Sequence, residues 1–111
     1  MRITQLVALA VLALSACSAP LKVGTTVKPA KSQSFLACVS QGALNKAIEL
    51  SVAQERAEVD AMFAAATCTQ APGNRRYRIL SVSGDEVEVA AVDPASPKGM
   101  WTAATSFDAA P

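Results

Sequence analysis

The sequence predicts an α+β domain: a helical hairpin packed with a small antiparallel sheet of about three strands, carried behind a secretory leader and a tether. Three observations predict it. Residues 41–67 are rich in Ala, Leu, Glu and Lys, contain no proline, and repeat apolar side chains at helical spacing. The run RRYRILSVSGDEVEVAAV (75–92) switches to an alternating, two-residue period around Gly84-Asp85. The first residues form a short apolar run behind a positive charge.

Size and charge narrow the field. The chain has 111 residues, enough for one small domain. Of its 10 Lys+Arg, Arg2 lies in the leader, which leaves nine against 9 Asp+Glu and a mature net charge of zero. No strong field of either sign is available to recruit nucleic acid. Histidine is absent, which removes the commonest general base and the commonest neutral metal ligand.

Arg2 and the apolar stretch LVALAVLAL (6–14) fit a secretory leader. The stretch is too short for a spanning helix, which needs roughly 20 apolar residues. Conventional cleavage fits poorly: a cut after Ala16 places the bulky Leu14 three residues upstream, and a cut after Ala19 meets Pro20. The four residues Leu14, Ser15, Ala16 and Cys17 instead resemble the lipobox of bacterial lipoproteins, with all four positions matching. The resemblance implies cleavage before Cys17, a diacylglycerol on its thiol and an acyl group on its new amino terminus. Two or three acyl chains anchor firmly where one is marginal. Ser18 stands where inner-membrane lipoproteins of this type carry aspartate, which implies the outer membrane, with the domain facing the periplasm or the cell surface.

Residues 1–16 are then the lipoprotein signal peptide and 17–34 the lipidated N-terminus and a flexible tether. The segment SAPLKVGTTVKPAKSQS (18–34) holds Pro20, Gly24 and Pro29 among Lys, Ser and Thr. As a coil, the preferred reading, it spans on the order of 20 to 25 Å; a short strand over Lys22 to Val27, where Val23, Thr25 and Val27 alternate with their neighbours, is the alternative. The domain occupies 35–108, and 109–111 is a tail.

With Cys17 taken by lipid, Cys38 and Cys68 remain as an even pair in an oxidising compartment, where a disulfide is expected. A redox pair is more typically CxxC, and a zinc site needs more ligands. The bridge shapes the segment between. Leu44, Ala47, Ile48 and Val52 mark one apolar face, and Val59, Met62, Phe63 and Ala66 another. A single helix of this length would run roughly 39 Å, whereas bridged cysteines need Cα atoms within about 7 Å. Two antiparallel helices, 40–53 and 56–67, are therefore expected, turning near Gln54-Glu55-Arg56 with Ser40 as N-cap. The fold expected is thus disulfide-braced.

In the strand-forming end, a two-residue turn at Gly84-Asp85 pairs Val82 with Val87, Ser81 with Glu88, Leu80 with Val89 and Arg78 with Ala91. Leu80, Val82, Val87 and Val89 then share the apolar face. DPASPKG (93–99) reads as a loop, and Met100-Trp101-Thr102 returns as a third strand. The pattern of YRILSVSGDEVEV followed by GMWT and a short turn looks like part of the small Src-homology-type barrels of bacterial envelope proteins, over roughly the last third of the chain. That resemblance implies binding of cell-wall peptides or short protein segments.

Arg75, Arg76 and Arg78 with Tyr77 form the one basic cluster. It reads either as a solvated edge that discourages strand pairing or as a patch for an anionic partner. Trp101 is expected in the core. No phosphate loop, nucleophile elbow, metal constellation or carboxylate cleft is present, so no catalytic residue, metal or cofactor is assigned and no enzyme is expected. The reading is a lipid-anchored, non-enzymatic envelope protein that binds or supports another envelope component, with its membrane partner reached through Cys17. A structural lipoprotein that binds peptidoglycan, or an accessory in phage or plasmid exclusion or in secretion, is the alternative.

Overall fold

The computed structural model describes residues 21–96 and 98–108. Leu14, Ser15, Ala16 and Cys17 lie outside the described residues. In chain order the elements are β1 (Thr26–Val27), a 3-10 turn (Ala30–Ser32), β2 (Phe35–Cys38), α1 (Gln41–Val52), α2 (Arg56–Ala64), β3 (Cys68–Ala71), β4 (Tyr77–Ser83), β5 (Glu86–Ala91), β6 (Met100–Ala103) and a second 3-10 turn (Ala104–Ser106). The strands form one six-stranded sheet in the order β1-β4-β5-β6-β2-β3. Every pairing is antiparallel.

This overturns the expected fold class. The body is a six-stranded sheet with two short helices set into it between β2 and β3, not a helical hairpin with a three-stranded sheet. The strands missed are short: β1 has two residues, β2 and β3 four each. None is long enough to display a two-residue period, and each is held by its neighbours rather than by its own pattern. The tether also needs correcting from Leu21 onward. Val27 is buried, β1 pairs with β4 through Thr26↔Arg78 and Val27↔Tyr77, and Pro29 bridges Phe107.

The main core lies on one face of the sheet: Val27, Phe35, Ala37, Ala71, Tyr77, Ile79, Val87, Val89 and Phe107. Phe35 of β2 meets Tyr77 of β4 edge-on, ring centroids 5.1 Å apart, although β5 and β6 separate their strands. The sheet therefore coils around this cluster. Its end closes where β3 runs into β4: Gly73 in that connection lies so close to the backbone of Ser32 and Gln33 that an added Cβ would collide with the Ser32 carbonyl oxygen.

The opposite face carries the helices. Leu44 and Ala47 of α1 bury against Cys38 and Cys68, with Leu36, Met62, Phe63 and Trp101 packed around them. The Cys38–Cys68 disulfide is present, joining residues directly opposite each other in β2 and β3. Ser40 caps α1 as expected, its Oγ accepting from the Ala43 N–H at 3.1 Å. Ile48 and Val52, expected on the buried face, are exposed, Val52 at 80 %, and Leu50 is buried instead. The apolar stripe is narrower than the periodicity suggests because α1 lies on the sheet through one line of contact.

The β4–β5 hairpin turns at Gly84, whose φ is +60°, the conformation that suits glycine in the first central position. Val82 pairs with Val87 and Ser81 with Glu88 as expected, but a bulge between Ile79 and Ser81 leaves Leu80 unpaired. Below it the register moves by one, so Ile79 faces Val89 and Arg78 faces Ala90. Tyr77 and Ile79 therefore enter the core, while Leu80 at the bulge is 37 % exposed; Val82, nearer the turn and still paired with buried Val87, is 44 % exposed. One inserted residue is enough to exchange the two faces of the strand.

Candidate functional surface

β4 sets the geometry of the arginine cluster. Tyr77 and Ile79 point inward, so Arg76 and Arg78 project from the outer face, and both are exposed. Tyr77 leaves the expected patch altogether. Its ring packs against Phe35 and Phe107, and its hydroxyl donates to the Pro72 carbonyl at 2.7 Å. Burial pushes the Tyr77 phenol up from its ordinary value of 10.0, and the nearby Arg75 guanidinium pulls it partly back.

β1 supplies what the sequence reading missed. Thr26 faces Arg78 and Val27 faces Tyr77; Lys28 follows that last pair and Arg76 precedes it. Lys28, Arg76 and Arg78 share one exposed face. The signal lay in the alternation of Thr26, Val27 and Lys28, which is too short to read without β4 beside it. Ahead of β1, the chain makes a turn in which the Thr25 N–H and hydroxyl both donate to the Lys22 carbonyl, at 3.2 and 2.6 Å. Gly24 takes a φ of +89° there, the conformation a type II turn requires. Val23 stands at the tip, 64 % exposed.

Acidic side chains gather elsewhere. Asp85, Glu86 and Glu88 surround the β4–β5 turn, where Gln41 Nε2 donates to Glu86 Oε1 at 2.7 Å and to Ser83 Oγ at 3.1 Å. This ties the first turn of α1 to the hairpin. Ser81 Oγ donates to Glu88 Oε1 at 3.0 Å. These carboxylates thus work as local acceptors on an outer face.

A depression of about 570 Å³ opens at the α1–α2 turn between Leu50, Ser51, Gln54, Glu55, Arg56 and Val59. A smaller one of about 140 Å³ lies beside Arg78, walled by Leu80, Ala90, Ala91 and Val92 under the 93–96 loop. Among the described residues no group of three or more His, Cys, Asp or Glu side chains is placed to hold a metal ion, and no helix is long and apolar enough to cross a membrane.

No curated protein and no solved structure matches the chain. A family profile, by contrast, matches residues 2–109. That span takes in Cys17 and the whole coiled sheet with its bridge. The chain belongs to the family described as surface attachment protein, Sap1-like.

Proposed function

We propose that this protein is a lipid-anchored, non-enzymatic surface protein, acylated on Cys17, that serves attachment by binding another surface or envelope component. Membership of the surface attachment family over residues 2–109 carries the reading. The matched span includes Leu14, Ser15, Ala16 and Cys17. A disulfide between Cys38 and Cys68 suits an oxidising compartment outside the cytosol. Cys17 precedes Leu21, the first described residue, by four positions, so acyl chains there hold the sheet within about 14 Å of a bilayer. The outer membrane is the bilayer that Ser18 favours.

Mass spectrometry of detergent-extracted native protein tests the anchor. The expected mature terminus is Cys17 carrying two or three acyl chains, and Cys17→Ser is expected to abolish processing at that site and lower surface attachment of cells. An unacylated terminus elsewhere, with attachment unchanged in Cys17→Ser, overturns the reading.

A further inference from the structure

Charge in this molecule is neutral in sum but segregated in space. Lys22, Lys28, Lys31, Arg75, Arg76 and Arg78 gather around β1, the first 3-10 turn and the β3–β4 connection, with Asp93 and Asp108 as the carboxylates nearby. Asp108 approaches through its backbone, its N–H donating to the Lys28 carbonyl at 3.3 Å. The Val92 N–H donates to the Arg76 carbonyl at 3.1 Å, and Asp93 follows directly in the chain. The other carboxylates sit on α1, on α2 and at the β4–β5 turn.

Two further facts give this basic edge a direction. Lys28 follows and Arg76 precedes the Val27↔Tyr77 pair, both are exposed like Arg78, and like charges crowded on one face of a strand pair repel. Such a pair gains from an anion laid across it. The chain also leaves the fold at this edge: Leu21 packs on the main core, and the turn beyond it presents exposed Val23 next to Lys22. An apolar tip flanked by cations is the arrangement that binds a bilayer interface, with the apolar group in the headgroup boundary and the cations on phosphates.

We infer that the outer face of the β1–β4 edge, formed by Lys22, Lys28, Arg76 and Arg78 with Val23 at its tip, docks on anionic phospholipid headgroups. This inference rests on the reading of Cys17 as the anchor, because the four-residue spacing to Leu21 brings this edge, and not the helices, to the bilayer. The domain then lies against its membrane in one orientation, with its acidic turn and helices turned toward whatever it attaches.

Lysine footprinting of the native full-length product tests the inference. The protein is placed in vesicles of phosphatidylcholine alone, or with about one-third phosphatidylglycerol, and exposed lysines are acetylated and read by mass spectrometry. Acetylation of Lys22 and Lys28 is expected to fall several-fold on the anionic vesicles while that of Lys46 on α1 is unchanged. Each interfacial cation contributes about fivefold to the docked-to-undocked ratio, so Arg76→Gln with Arg78→Gln is expected to lower it roughly 25-fold and abolish the protection. Equal labelling of Lys22 and Lys28 on both vesicle types overturns docking. So does protection that survives the double substitution, or protection by a soluble anionic polysaccharide with none from phosphatidylglycerol. The mass of the Cys17 peptide in the same samples separates the two readings. Acylated Cys17 without protection sinks docking alone; protection of an unacylated chain sinks the anchor alone.

Discussion

Tyr77 shows how much one side chain joins in this fold. It brings β4 against Phe35 of β2 and Phe107 near the C-terminus, and its hydroxyl closes the β3–β4 connection on Pro72. Because burial raises its folded pKa above 10.0, the unfolded chain loses the phenolic proton first as pH rises. Stability from this group is complete below pH of about 10 and is lost as pH climbs through the higher folded value. The Tyr77→Phe protein is expected to be less stable at neutral pH by about 1 kcal/mol, the worth of the hydroxyl's hydrogen bond. Its urea midpoint should then fall less steeply than the parent's under alkaline conditions. Parallel pH profiles for the two proteins would contradict this account.

At the scale of elements, the helix ends explain why the boundaries are hard to see in the sequence. Both helices finish in the same six-residue bonding pattern. For α1, the Glu55 N–H donates to the Leu50 carbonyl and Gln54 N–H to Ser51; for α2, Thr67 N–H donates to Met62 and Ala66 N–H to Phe63. This pattern needs a left-handed residue after the helix, normally glycine. Here Gln54 and Ala66 supply it, at φ of +60° and +59°. A left-handed L-residue is strained by roughly 1–2 kcal/mol, so Ala66→Gly is expected to raise stability by about 1 kcal/mol in urea unfolding. A lowered midpoint would mean that the left-handed turn is not retained in solution. With no glycine to mark the stop, composition alone carries α2 to 67, although it ends at Ala64.

The whole molecule has two cores on opposite faces of one sheet. The disulfide belongs to the smaller core and closes a loop of 30 residues. In the chain-entropy picture such a loop is worth about 3.5 kcal/mol. The chain's single Tyr and single Trp report the two cores separately, Tyr77 in the main one and Trp101 beside the smaller. In the oxidised protein both signals are expected to change at one denaturant concentration. After reduction, or in Cys38→Ser with Cys68→Ser, the Trp101 change should move to lower denaturant than the Tyr77 change. Coincident and unshifted transitions would show that the bridge braces neither the helices nor the β2–β3 pair.

The sequence by itself determined the features that rest on local pattern. These are the helical composition between the cysteines, the Gly84 turn, the Val82↔Val87 pairing, the Cys38–Cys68 bridge and the exposed Arg76 and Arg78. Each follows from neighbours a few residues apart, or from cysteine chemistry, which the order of residues displays directly. Tertiary structure alone decided the rest. In the run RILSV either parity can face inward, and only packing against Phe35 and Phe107 makes the bulge at Leu80 worthwhile and draws Tyr77 inside. Strands of two to four residues have no period of their own and exist because partners distant in sequence complete their hydrogen bonds. The gathering of Lys28 and Arg76 on one edge arises the same way, since charges 48 positions apart come to flank the Val27↔Tyr77 pair only when β1 lies against β4.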